Sequence, residues 1–141
     1  MSKKKHYISD VYIANLNFNK SKNNINIFIE NFDNFPFKVK RFMSVINFEK
    51  QVKGNHCNTN SNILIQVVKG ELILNVDDGE NNKKIILNDK GIKSVFIPKG
   101  IWTKLFYKNM ETILIVFADK SFEKTKYIDN YSKFIKFRKR L

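Results

Sequence analysis

The sequence predicts an all-β fold, a sandwich or barrel of short strands with one helix at the C-terminus. Three observations lead there. In the second half of the chain, apolar or alternating segments recur between turn residues, at the roughly 8–12-residue interval expected of antiparallel strands. Aromatic residues are dense, with 13 Phe, 5 Tyr and 1 Trp against only 5 Gly and 2 Pro, and aromatic and β-branched enrichment suits a pleated, half-buried surface. The period changes only near the end, where the apolar residues of 127–136 recur at helical spacing. A closed or double-sheet arrangement would also remove most unpaired strand edges.

Taken in order, residues 7–18 alternate, with Val11, Ile13 and Leu16 as apolar marks, and read as a first strand. The Lys/Asn-rich stretch 19–24 is a turn or loop. Ile25, Ile27 and Ile29 alternate with Asn26 and Phe28, which predicts a strand with one buried face. Residues 31–36 break it, because Pro36 fixes its own φ and pushes Phe35 into an extended conformation. Residues 37–46 alternate again, Phe37, Val39 and Met43 against Lys38, Lys40 and Phe42. The polar segment 49–62 then separates this strand from others expected at 63–68, 71–76, 83–87, 94–97, 102–106 and 112–117. Their connections carry turn chemistry: Lys69-Gly70, Asp77-Asp78-Gly79, Asn88-Asp89-Lys90-Gly91 and Pro98-Lys99-Gly100. A helical tail is expected over about 121–138, packed outside the barrel, with 137–141 as a solvated basic end. There is no internal repeat, and residues 1–141 read as one domain.

The net charge of +13 raises the question of anionic partners. A nucleic-acid or membrane surface is one reading; a general Lys/Asn-rich composition is the other, favoured because the lysines are spread along the chain. A small anion such as a nucleotide diphosphate would benefit from the same field. Cys57 is the sole cysteine, so nothing argues for an oxidising compartment. The start, Met1-Ser2-Lys3-Lys4-Lys5, lacks a following apolar run, and no stretch approaches the roughly 18 apolar residues of a membrane span. The expectation is a soluble, cytoplasmic protein without a membrane partner.

The chemistry-bearing stretch is Lys53-Gly54-Asn55-His56-Cys57-Asn58, which holds the chain's one interior histidine; the other is His6. Imidazole is the side chain whose ordinary titration falls near neutrality, so His56 is the candidate for proton chemistry. A divalent transition metal wants several N/O ligands at once. Asn58 occupies the place of a second ligand in a His-x-His pair, and Thr103 follows Trp102 where a last His would sit, so no metal and no cofactor are expected. Cys57 reads as a small buried filler rather than a thiolate.

These residues carry a resemblance. Pro36-Phe37-Lys38-Val39-Lys40-Arg41, the Gly54-x-His56 mouth, Gly70, Asp77-Asp78-Gly79, the Pro98-x-Gly100-x-Trp102 loop and Tyr127-Ile128-x-x-Tyr131-x-x-Phe134 follow one another. In that order and spacing they resemble the small cupin-fold enzymes that isomerise nucleotide-linked 4-keto-6-deoxy sugars, the dTDP-sugar 3,4-ketoisomerases. The resemblance implies a cupin-type β-barrel and a keto group moved from C4 to C3 by base-catalysed enediol chemistry, in the supply of surface-glycan sugars such as those of lipopolysaccharide. It implies a homodimer that exchanges N-terminal strands, with a dTDP-linked keto-deoxy sugar as ligand. By register, His56 is the catalytic base. Arg41, Lys53, Asn58 and Trp102 are the substrate-binding candidates: Arg41 aimed at diphosphate oxygens or else a surface strand charge, and Trp102 either packing the core or stacking on the base. The chain departs from the family pattern at Lys53 for Arg, Asn58 for the second His, Met43 for Tyr, Ile63 for Gln and Thr103 for a frequent His, and Lys22-Asn23 stands for an Arg-Gly pair. Asn58 can orient a hydroxyl but cannot carry a proton at neutral pH. A catalytically silent sugar-nucleotide-binding homologue is therefore the alternative, with a basic nucleic-acid module a distant third.

Overall fold

The computed structural model describes residues 4–30, 35–91 and 93–141. A 3-10 turn at Ile8–Asp10 precedes β1 (Tyr12–Asn15), β2 (Asn17–Lys20), β3 (Ile25–Phe28), β4 (Arg41–Asn47), β5 (Gln51–Asn58) and β6 (Ile63–Lys69). Then come β7 (Glu71–Asp77), β8 (Asn82–Asn88), β9 (Lys93–Ile97), β10 (Trp102–Tyr107), β11 (Thr112–Ala118), β12 (Tyr127–Ile128) and α1 (Tyr131–Lys139). Two five-stranded antiparallel sheets form the body, ordered β1-β9-β6-β11-β4 and β12-β5-β10-β7-β8, while β2 and β3 make a separate hairpin.

The alternation read from the sequence sorts side chains between two environments. On β7, Leu72, Leu74 and Val76 are buried between the sheets, whereas Glu71, Ile73, Asn75 and Asp77 are only partly covered. Ile63, Ile65 and Val67 on β6 and Leu114, Val116 and Ala118 on β11 supply the facing layer. Each such Val, Leu or Ile side chain, withdrawn from water, contributes about 1.5–3 kcal/mol. A second, smaller cluster of Cys57, Trp102 and Phe134 lies on the outer face of the β5–β10 pair, beneath α1. The helix is set at its start by Asn130, whose side-chain oxygen accepts from the Lys133 amide at 3.0 Å.

Six expectations need correcting. Residues 7–18 are not one strand: the 3-10 turn and β1 join the main body, and β2 leaves it to pair with β3. The strand at 25–29 lacks a well-buried face: of Ile25, Ile27 and Ile29, the first is 42% exposed and the other two half-buried, because no second layer among the described residues covers the hairpin. Of the expected strand at 37–46, only the part from Arg41 onward pairs, with β11. The polar segment 49–62 contains a full strand, β5, whose inward face is polar and so hides its period. The helix begins at Tyr131 rather than near 121, since Tyr127 and Ile128 pair with β5 first. The end of the chain is not simply solvated: Arg138 is 3% exposed and donates to the carbonyls of His6 and Gly100. The expected break at 31–36 and the N-terminal reading fall partly on residues 31–34 and 1–3, outside the described residues.

Candidate active site

The position of His56 depends on a bulge. Along β5, Lys53 lies across from Leu105, Gly54 from Lys104, and then His56 from Thr103, so Asn55 is one residue too many for β10 to match. Gly54 (φ 73°) and Asn55 (φ 57°) both take the left-handed conformation at this bulge, where a glycine is a common occupant. A Cβ on Gly54 would meet the Thr103 carbonyl oxygen at 3.0 Å, which is why the stretch reads Gly-Asn and not two β-branched residues. In a ladder, one residue of slip turns every side chain to the opposite face. The bulge thereby turns His56 toward the barrel interior, level with Thr103 and core Val76, and turns Cys57 outward onto Trp102.

The same register logic gathers most of the predicted residues. Lys53, His56 and Asn58 share the inward side of β5. On the other sheet, Arg41 pairs with Ala118 and Met43 with Val116, and Ile63 pairs with Ala118 from β6, so all three look into the barrel. Five of the positions where this chain departs from the expected family pattern (Met43, Lys53, Asn58, Ile63 and Thr103) thus face the barrel interior as His56 does, whereas Lys22-Asn23 lies exposed at the turn of the β2–β3 hairpin. His56 is half-buried and stands edge-to-face on Tyr127, ring centroids 4.9 Å apart. The sequence places Tyr127 on a helix face and in the motif Tyr127-Ile128-x-x-Tyr131-x-x-Phe134, with no role at the site; the two-residue strand that brings it here leaves no periodic trace.

Two polar groups of this face lack a partner among the described residues. Nε and Nη1 of Arg41 are buried with no hydrogen bond, the guanidinium resting 5.8 Å from the Phe122 ring centroid. Oδ1 of Asn58 is likewise buried and unbonded, although its backbone carbonyl accepts from the Gly100 amide at 2.7 Å. Leaving such groups unpaired costs about 1–3 kcal/mol each, more when charged, and a bound polar ligand relieves that cost.

Trp102 does not join the set. It is 5% exposed on the outer face, 5.3 Å from both Tyr131 and Phe134 by ring centroids. Of its two readings, packing is the one the geometry supports, because alternation on β10 assigns inward-facing Thr103 to the barrel and Trp102 to the helix. Cys57 is fully buried in the same cluster, and burial pushes its thiol up to about 12, against smaller opposite pulls from Arg138 and a Gly100 hydrogen bond. A thiolate nucleophile is excluded there.

A family model described as FdtA: WxcM-like, C-terminal matches residues 9–139. The chain belongs to the FdtA family. Among its relatives, WlaRA of Campylobacter jejuni, a TDP-fucose-3,4-ketoisomerase, is 30% identical, with 92% of this chain and 96% of that one aligned at a TM-score of 0.79. The TDP-4-oxo-6-deoxy-alpha-D-glucose-3,4-oxoisomerase of Aneurinibacillus thermoaerophilus is 22% identical over 77% of this chain and 78% of its own length. QdtA of Thermoanaerobacterium thermosaccharolyticum, a sugar 3,4-ketoisomerase solved with TDP, is 21% identical, covers 95% and 98% of the two chains and superposes with a TM-score of 0.84. The likeness to QdtA establishes the fold: this FdtA-family chain is an all-β, cupin-like barrel with a C-terminal helix.

Proposed function

We propose that this chain is a nucleotide-sugar 3,4-ketoisomerase that moves the keto group of a dTDP-4-keto-6-deoxyhexose from C4 to C3, with His56 as the base. The observation that carries the reading is the inward placement of His56, Lys53 and Asn58 on one face of a barrel strand, in a member of this family. Such an isomerisation removes the C3 proton, passes through an enediolate and protonates C4, and a positioned acid–base group is worth ~10²–10⁴-fold in such steps. Lys53 supplies charge without the bidentate geometry of arginine, and Asn58 orients a sugar hydroxyl or polarises a carbonyl. Trp102 has no part in this site. The test is turnover of dTDP-4-keto-6-deoxyglucose by purified protein in D2O, followed by NMR. Conversion to the 3-keto sugar supports the reading; binding without conversion favours the silent homologue suggested by Asn58, and neither would end both.

Arg41 is assigned to the diphosphate, because Nε and Nη1 of its guanidinium are buried without a hydrogen bond and stand open to an anion. The Arg41→Met variant is expected to melt close to the wild-type temperature, since it removes two buried, unbonded guanidinium nitrogens together with the contact to Phe122. It should bind dTDP about 10–100-fold more weakly, the worth of ~1.5–3 kcal/mol for a charged hydrogen bond. Calorimetric titration showing unchanged affinity would remove Arg41 from the site.

The working form is assigned as a homodimer with exchanged N-terminal strands, operating in the cytoplasm on sugars destined for surface glycans such as lipopolysaccharide. Supporting the dimer, Tyr12 and Ile13 on edge strand β1 and Phe18, Ile25 and Phe28 on the hairpin are exposed, and among the described residues the hairpin pairs with neither sheet. No helix among the described residues is long and apolar enough to cross a membrane. Sedimentation equilibrium should return twice the chain mass at micromolar concentration, and a monomer there would refute the assembly.

A further inference from the structure

Strand β12 is only two residues long, yet its pairing determines which phenol reaches the site. Tyr127 lies across from Asn58 and Ile128 across from Cys57. Tyr127 therefore shares the face of β5 that carries His56 and Asn58, while Ile128 joins the apolar cluster under α1. Its ring meets the His56 imidazole at 4.9 Å between centroids and 88° between planes, an attractive edge-to-face geometry. The phenol stays 45% exposed, and its hydroxyl has no hydrogen-bond partner among the described residues. The neighbouring phenol, Tyr131, donates instead to Asp77 at 2.9 Å and sits against Trp102 on the outer face. Tyr107 is buried in the core. Tyr127 is thus the phenol placed beside the histidine, with its proton uncommitted.

We propose that Tyr127 is the second proton carrier of this site, delivering to C4 the proton that Asn58 cannot. The inference rests on the ketoisomerase reading above. His56 takes the C3 hydrogen as a proton; the C3–H electron pair becomes the C3=C4 bond, and the carbonyl pair moves onto O4. O4 takes the proton of the C3 hydroxyl, which leaves the negative charge on O3. The O3 pair then forms the C3 carbonyl while the C3=C4 pair takes the Tyr127 hydroxyl proton at C4. The resulting phenolate recovers a proton from the adjacent His56 imidazolium, directly or through one water, and both groups are restored. One hydrogen has passed from C3 to C4 and one from O3 to O4, with no oxidant or reductant. The geometry thereby sets a second proton carrier from another strand beside His56, where position 58 holds an asparagine.

Tyr127→Phe tests this, because it keeps the ring and its contact with His56 and removes one oxygen. With dTDP-4-keto-6-deoxyglucose in D2O, NMR reads two rates: appearance of the 3-keto product and exchange of the C3 hydrogen for deuterium. Product formation is expected to fall ~10²–10⁴-fold, with KM changed by less than about threefold. Exchange at C3, the step assigned to His56, should stay within about tenfold of wild type. Wild-type turnover by Tyr127→Phe would overturn the proposal. So would equal loss of exchange and turnover, which would make Tyr127 a positioning residue acting through His56. A wild-type protein that neither exchanges nor isomerises would sink the ketoisomerase reading itself, an outcome distinct from the other two because they require an active wild type.

Discussion

The His56→Gln variant is expected to lose both reactions together: exchange of the C3 hydrogen with D2O and formation of the 3-keto sugar, each by ~10²–10⁴-fold. Glutamine preserves a polar, hydrogen-bonding side chain on the inward face of β5 but cannot take a proton near neutral pH. Because His56 is half-buried on a strand that pairs on both sides, the substitution should leave the melting temperature within a few degrees and dTDP affinity nearly unchanged. The diagnostic feature is the pairing of the two losses, since the proton must leave C3 before it can arrive at C4. If His56→Gln retained C3 exchange at the wild-type rate, the base would have to be sought elsewhere. A fall in dTDP affinity equal to the fall in turnover would instead reduce His56 to a binding residue.

The largest stability effect is expected at Phe134. Its side chain is wholly buried between α1 and the outer face of the second sheet, against Trp102 at 5.3 Å and in one cluster with Cys57. A Phe→Ala change in such a position leaves a cavity and costs about 3–5 kcal/mol. For a domain of this size that lowers Tm by roughly 2–8 °C per kcal/mol. Cys57 provides a local reporter. In the wild type its burial and raised thiol pKa of about 12 should make it nearly inert to a disulfide exchange reagent at pH 8. In Phe134→Ala the weakened helix should open over it and modification should accelerate at least tenfold. A variant with unchanged melting temperature and an equally inert Cys57 would show that α1 does not hold the outer cluster together. The loss should also reach the site, because β12 leads into α1 and presents Tyr127 to His56.

Much of this architecture is legible in the residues. Strands β7 and β8 alternate because one face meets the other sheet, β6 reads as an apolar run because both of its faces are covered, and their turns carry the Gly and Asp that tight connections need. Strand β5 is illegible for the opposite reason: Gln51, Lys53, His56 and Asn58 face inward and the Gly54–Asn55 bulge shifts the period midway. An inward polar face on a barrel strand looks like a loop to any pattern built on hydrophobicity. The buried Arg138 was hidden similarly, since three of the last four residues are basic and nothing local distinguishes the one that reaches back to His6 and Gly100.

His56 could be singled out from the sequence alone, by histidine count and by register with a family pattern, and so could the poverty of metal ligands around it. The sequence could not say which side of the sheet each neighbour would take. That was decided by one extra residue in β5, which sends His56 inward and Cys57 beneath the helix, and by cross-strand pairing, which turns Trp102 away from the site and brings Tyr127 to it. A residue's type travels with the chain, but its facing depends on the ladder it joins, and the ladder exists only once the strands have met.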